Sequence, residues 1–289
     1  MTESAFSTLA NSLGSHIGRL LNRPPVIPLV RLQGTISSEQ RPGRLNISTY
    51  APVLERAFGV RRAPAVAIVV NSPGGSPVQS RLIAKRIRDL AEEHDKRVLV
   101  FVEDVAASGG YFIASAGDEI IADPSSIVGS IGVIMAGFGF EEAIRKLGVT
   151  RRLYTAGKNK STLDPFLPEK PEDVERLKAA EMSIHEVFID YVKARRGERF
   201  RGGDDVLFTG EWWTAKRGLD LGLVDGLGDI HEELRARFGE KVRVKPFGPR
   251  RPFLQLPRFG TSVGAGPEGL GADLIAAVED RALWSRFGL

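Results

Sequence analysis

The 289 residues suffice to bury a full core without disulfide staples, and the absence of any cysteine removes thiolate nucleophiles and Cys-based zinc sites from the candidates. A hydrophobic share of 42% beside 26% charged residues is that of a soluble globular chain. Forty Lys and Arg against 36 Asp and Glu leave a formal charge of +4, with the basic residues scattered through RRAP, GVTRR and GPRRP, which argues against a nucleic-acid partner. No apolar run approaches the roughly 20 residues of a membrane span, and no short apolar stretch follows a basic start. The expected location is therefore the cytoplasm or the periphery of a membrane.

In chain order, Phe6, Leu9, Leu13, Ile17, Leu20 and Leu21 stand at helical spacing before Pro24 and Pro25, which predicts an amphipathic helix over residues 1–25. It reads as a packing or oligomer contact, with peripheral membrane contact as the alternative. VIPLVRLQGTI then reads as a strand, STYAPVLERAFG as a helix, AVAIVVN as a buried strand, Pro77–His94 as a helix and VLVFVE as a second buried strand. Helices alternating with continuous apolar strands predict an α/β fold with a parallel sheet covered on both faces. EIIAD and SIVGSIGVIM follow, then a helix EEAIRKLG and a strand TRRLYTA. A long helix over 172–196, a shorter one at IHEELRARFG and a strand KVRVKPF complete a single catalytic domain over 26–246. Residues 247–289 read as a Pro/Gly-rich tail ending in a helix, DLIAAVEDRALWSRF.

Chemistry concentrates in DVAASGGYFIASAGD. A strand, a turn of small residues and a helix starting near Gly109 lift Ser108 to the carboxyl edge of the sheet, at a helix N-terminus rich in free N–H groups. The local sequence supports two readings equally, a nucleophile and a helix N-cap. NSPGG at 71–75 lies in the equivalent place after its own strand. Its glycines let the backbone approach a substrate, so that Gly75 and Gly109 are candidates for the two N–H donors of an oxyanion hole. Alone, the same turn would serve a phosphate or CoA.

A serine nucleophile needs a base. The four histidines, His16, His94, His185 and His231, all fall in or at the ends of predicted helices, without an evident partner acid. Lysine is the alternative, provided burial disfavours its charge. The loop TAGKNKS presents Lys158 and Lys160, which point to opposite sides of an extended segment, so that one of them can enter a site. No HExxH or His/Asp cluster suggests a metal, and no cofactor is implied. Trp212 and Trp213 read as core or interface residues, with ligand stacking as the alternative.

Four motifs in order, NSPGG at 71–75, ASGGY at 107–111, DEIIADPSSIVGSIGV at 118–133 and YTAGKNKSTLDPF at 154–166, resemble the signal peptide peptidase A family of Ser-Lys proteases, in its short single-repeat form. The resemblance spans residues 26–245. It implies a Clp protease/crotonase-like fold with repeated ββα units, Ser108 as nucleophile, Lys160 as general base, Ser130 as the residue that orients the lysine, and Gly75 and Gly109 as the oxyanion hole. It further implies hydrolysis of peptide bonds in unfolded proteins or short peptides, remnant signal peptides among them, by a homo-oligomer, an octamer for the short form, whose neighbours complete each groove. Members of that family commonly carry an N-terminal anchor, in whose place stands the helix Phe6 to Leu21. Two other classes remain as alternatives. A crotonase-like acyl-CoA enzyme would use the same glycine-lined hole with a carboxylate, and a catalytically idle scaffold would only bind peptides in the groove.

Overall fold

The computed structural model of the protein describes residues 24–249, Pro42 apart, and 277–289, Glu279 apart. The amphipathic helix expected over residues 1–25 and most of the expected tail lie outside the described residues. The strands in chain order are β1 (Val26–Gln33), β2 (Thr35–Ile36), β3 (Arg44–Leu45), β4 (Ala65–Ser72), β5 (Arg97–Ala107), β6 (Glu119–Ala122), β7 (Ile127–Gly129), β8 (Trp212–Thr214), β9 (Gly226–Leu227) and β10 (Arg243–Phe247).

The main sheet runs β10-β1-β4-β5-β6-β9, with β7 continuing from β5 and β8 from β7. Every pairing in it is parallel except β7 with β8. β4 is buried along its whole length, as its unbroken apolar run AVAIVVN predicts for a strand covered on both faces. One face packs Ile68, Val70, Val100 and Val102 under the helices Ile47–Phe58 and Pro77–Glu93; the other packs Val69, Leu99 and Phe101 against Leu234. Asn46 caps the first of these helices, its Oδ1 accepting from the Thr49 N–H at 2.8 Å.

β5 is the strand that positions the site. Its first half, Leu99 to Val102, pairs with β6, and its second half, Val105 to Ala107, pairs with β7. The register against β4 shifts between Val70 and Ser72, which face Val102 and Ala106, so β5 carries two extra residues there, an irregularity of the β-bulge kind.

The expected strand TRRLYTA does not form: residues 150–156 are irregular and largely exposed. The segment has the apolar and β-branched residues of a strand, but no neighbouring strand offers it a ladder, and an unpaired strand has nothing to hold it.

The long helix Pro171–Arg196 is held to the sheet at its last residue. The fully buried Arg196 guanidinium donates to both Asp225 carboxylate oxygens, at 3.0 and 3.2 Å, and to the Gly222 carbonyl at 2.9 Å. Asp225 also accepts from the Ile120 N–H at 2.7 Å. Beside it the Tyr111 hydroxyl donates to the Leu223 carbonyl at 2.8 Å, and burial pushes its pKa up to about 12, so that it remains a donor across the working pH range. Asp225→Ala removes the counter-charge and leaves Arg196 buried alone. Stability is expected to fall by about 3–5 kcal/mol, read as a lower urea midpoint; a midpoint within error of the wild type would refute a structural role for the pair.

Candidate active site

Ala107 on β5 is paired with Gly129 on β7, so the next residues, Ser108 and Ser130, leave the sheet side by side at its carboxyl edge. The Ser108 N–H donates to the Gly129 carbonyl at 2.9 Å, which ties the two turns together. Both serines have φ of +52°, a left-handed conformation that costs a residue with a Cβ on the order of 1–3 kcal/mol. Ser108, with ψ of −122°, opens the helix Gly109–Ala114, yet its hydroxyl makes no capping hydrogen bond, unlike the side chains of Asn46 and Asp229 at their own helix starts. Of the two local readings of Ser108, the N-cap is the one its geometry does not support.

The NSPGG turn closes over the same point. Ser72 is paired with Ala106, and a Cβ placed on Gly74 would stand 2.8 Å from the Ser108 Cβ and 2.9 Å from the Gly109 nitrogen. Gly75 has φ of +137°, and a Cβ there would strike the Ile36 carbonyl oxygen at 2.1 Å. The parallel bridge between Ile36 and Gly75 is closed by Ile36 N–H to Gly74 O and Ser76 N–H to Ile36 O, both at 2.8 Å. That pattern leaves the Gly75 N–H out of the ladder. The Gly109 N–H, at the first position of its helix, has no intrahelical acceptor. Two amides from separate turns that line one site are therefore left without a main-chain acceptor.

Ser108, Gly75, Gly109 and Ser130 line one cleft of about 520 Å³. Its remaining wall is mostly apolar, including Val78, Phe112, Ile134, Val187 and Phe188. Leu283, Arg286 and Phe287 also line it, brought there by the C-terminal segment, in which Asp280 pairs with Arg44 and Phe287 packs on Val105 and Ala107. The helix expected over 273–287 is described only in part, with residues 277, 278 and 280–285 helical. Leu283, Arg286 and Phe287 are not marked in the sequence, since nothing in the local pattern connects the end of the chain to a turn some 170 positions earlier.

Lys160 is not among the residues that line the cleft. It is exposed, as is Lys158, in a loop whose base is closed by Arg151 and Asp164 at 3.0 Å. The Phe166 N–H and then the Arg151 guanidinium hold the Asp164 carboxyl below its usual pKa. The structure thus gathers four of the five expected site residues and leaves the lysine on an arm of its own. Of the histidines, His94, His185 and His231 do not line the cleft, and His16 lies outside the described residues. The His185 Nε2 stands 3.0 Å from the Ile131 carbonyl oxygen. Trp213 packs against the core, while Trp212 is partly exposed and meets Phe287 edge-on at 6.0 Å. Among the described residues no three His, Asp or Glu side chains are grouped to hold a metal ion.

The sequence model of Peptidase family S49 matches residues 91–245, more than half of the chain, including Ser108, Ser130 and Lys160. A protein of Brucella abortus (strain 2308) named Na(+)/H(+) antiporter NhaA is 55% identical over 273 residues, which cover 91% of this chain and 37% of that protein. Serine protease SPPA, chloroplastic, of Arabidopsis thaliana is 30% identical over 89% of this chain and 38% of its own length. Protease 4 of Haemophilus influenzae is 33% identical over 73% of this chain and 34% of its own. The chain thus spans little more than a third of each of these relatives. Among the described residues no helix is long and apolar enough to cross a membrane.

Proposed function

The chain belongs to peptidase family S49, and on that premise we propose that it is a serine endopeptidase using a Ser108–Lys160 dyad on unfolded proteins or short peptides, remnant signal peptides among them. Its fold is α/β, of the Clp protease/crotonase-like kind. The observation that carries the proposal is the uncapped Ser108 hydroxyl in a strained turn, with the Gly75 and Gly109 amides beside it. Lys160 Nζ takes the hydroxyl proton, and Ser108 Oγ attacks the scissile carbonyl carbon. The oxyanion accepts hydrogen bonds from Gly75 and Gly109, and collapse expels the amine with the proton returned by Lys160. Water, deprotonated by the same lysine, then releases the acyl group. Ser130, beside Ser108 in the cleft, is the hydroxyl that orients the lysine.

The lysine reaches the cleft in a homo-oligomer. The arm from Val133 to Phe166 exposes Ile134, Phe138, Leu147, Val149 and Tyr154, with Phe138 and Tyr154 81% and 89% exposed. A second copy covering that face would bury them and bring Lys160 to a neighbour's Ser108.

The acyl-CoA reading requires a carboxylate at the oxyanion hole, and among the described residues no acidic side chain lines the cleft. The test is incubation of the full chain with a mixed peptide library and sequencing of the products. Internal cleavage that a serine-acylating phosphonate blocks is expected. An intact library together with CoA binding would overturn the proposal in favour of the acyl-transfer class, and an intact library with peptide binding alone would leave a scaffold.

A further inference from the structure

Among the described residues, the cleft that holds Ser108 is lined by two charged side chains, Arg81 and Arg286, and both are cationic. Both are exposed, and among the described residues neither has a hydrogen-bond or ion-pair partner, so both guanidinium groups are open to a ligand in the cleft. Arg81 lies just past the first turn of the helix Pro77–Glu93, a turn without acidic residues, so the positive end of that helix adds to the field of the guanidinium. Arg286 belongs to the C-terminal segment, which Asp280 and Phe287 fasten to the body of the domain. The cleft that the two cations share has a mostly apolar wall, with Val78, Ile134, Val187 and Leu283.

Unpaired guanidinium groups beside an apolar surface favour a ligand that brings both an apolar side chain and a carboxylate. We propose that the Ser108 cleft selects peptides in which an apolar residue is accompanied by a carboxylate, with Arg81 and Arg286 as its specificity-determining pair. This rests on the peptidase reading of the cleft. The carboxylate comes either from an Asp or Glu side chain or from a free peptide C-terminus.

The experiment uses the full chain carrying Ser108→Ala and three fluorescent peptides of one apolar sequence: Glu with an amidated end, Gln with an amidated end, and Gln with a free end. Anisotropy titration is expected to give about tenfold tighter binding of a carboxylate-bearing peptide than of the neutral one, shrinking as salt is added. Preference for the first peptide assigns the side chain as the source, and preference for the third assigns the terminus. In Arg81→Gln/Arg286→Gln the ratio is expected to fall toward one, and in Arg81→Lys/Arg286→Lys to survive in part. Equal affinities for all three peptides, or a preference that persists in the glutamine variant, would overturn the proposal. Hydrolysis by the unaltered chain separates the two readings. Preference without cleavage of any peptide sinks the peptidase, whereas cleavage without preference sinks only the role of the arginines.

Discussion

Ser108→Ala is expected to lower peptide hydrolysis by about four orders of magnitude or more and to abolish labelling by a fluorophosphonate, while leaving the unfolding midpoint where it is. The reason for the second half lies in the turn. The alanine retains the Cβ, and the main-chain bonds from Ser108 N–H to Gly129 and from Phe112 N–H to the carbonyl of residue 108 do not involve the hydroxyl. Because that hydroxyl caps nothing, its loss costs no helix stability. Asn46→Ala is the comparison, since its Oδ1 does cap a helix and its removal costs about 1 kcal/mol. A Ser108→Ala chain that still hydrolyses peptides or is still labelled would remove Ser108 from the mechanism. One that loses activity only in proportion to a lowered midpoint would return it to the role of a cap.

That distinction was not available in the sequence, although much around it was. The strands β4 and β5 announce themselves as unbroken apolar runs, since a strand buried on both faces has no polar side to alternate with. The turns after them stand out because only small residues permit the approach of Gly74 and Gly75 to Ser108 and Ile36. What the sequence lacked was dihedral information: a serine before a helix looks the same whether its side chain bends back to the amides or, as here, turns away at φ of +52°. TRRLYTA failed for a different reason, because strand propensity is realised only through a partner, and pairing is a property of the whole chain. The wall contributed by Leu283, Arg286 and Phe287 was illegible on the same ground. Lys158 and Lys160 are equivalent by pattern, and only the resemblance to a family chose between them.

Lys160→Ala is expected to reduce hydrolysis by about a thousandfold or more, the share a general base commonly supplies, whereas Lys158→Ala should stay within a few fold of the unaltered chain. Reversal of the two would move the base by two residues. A lysine serves as a base only where burial disfavours its charge, and in a single copy Lys160 is exposed and outside the cleft. A second copy that covers the arm would supply that burial together with the missing geometry, so the dyad would form between subunits. The consequence is complementation: Ser108→Ala and Lys160→Ala chains are each inactive, but oligomers co-assembled from equal amounts contain interfaces that join an intact serine to an intact lysine. Random mixing gives about a quarter of the unaltered activity. If the arm instead folded back onto its own chain, no mixture would recover anything, and the shared site would be refuted. The same logic ties activity to assembly, since specific activity should fall on dilution at the concentration where the oligomer dissociates, and a chain that remains fully active as a monomer would contradict it.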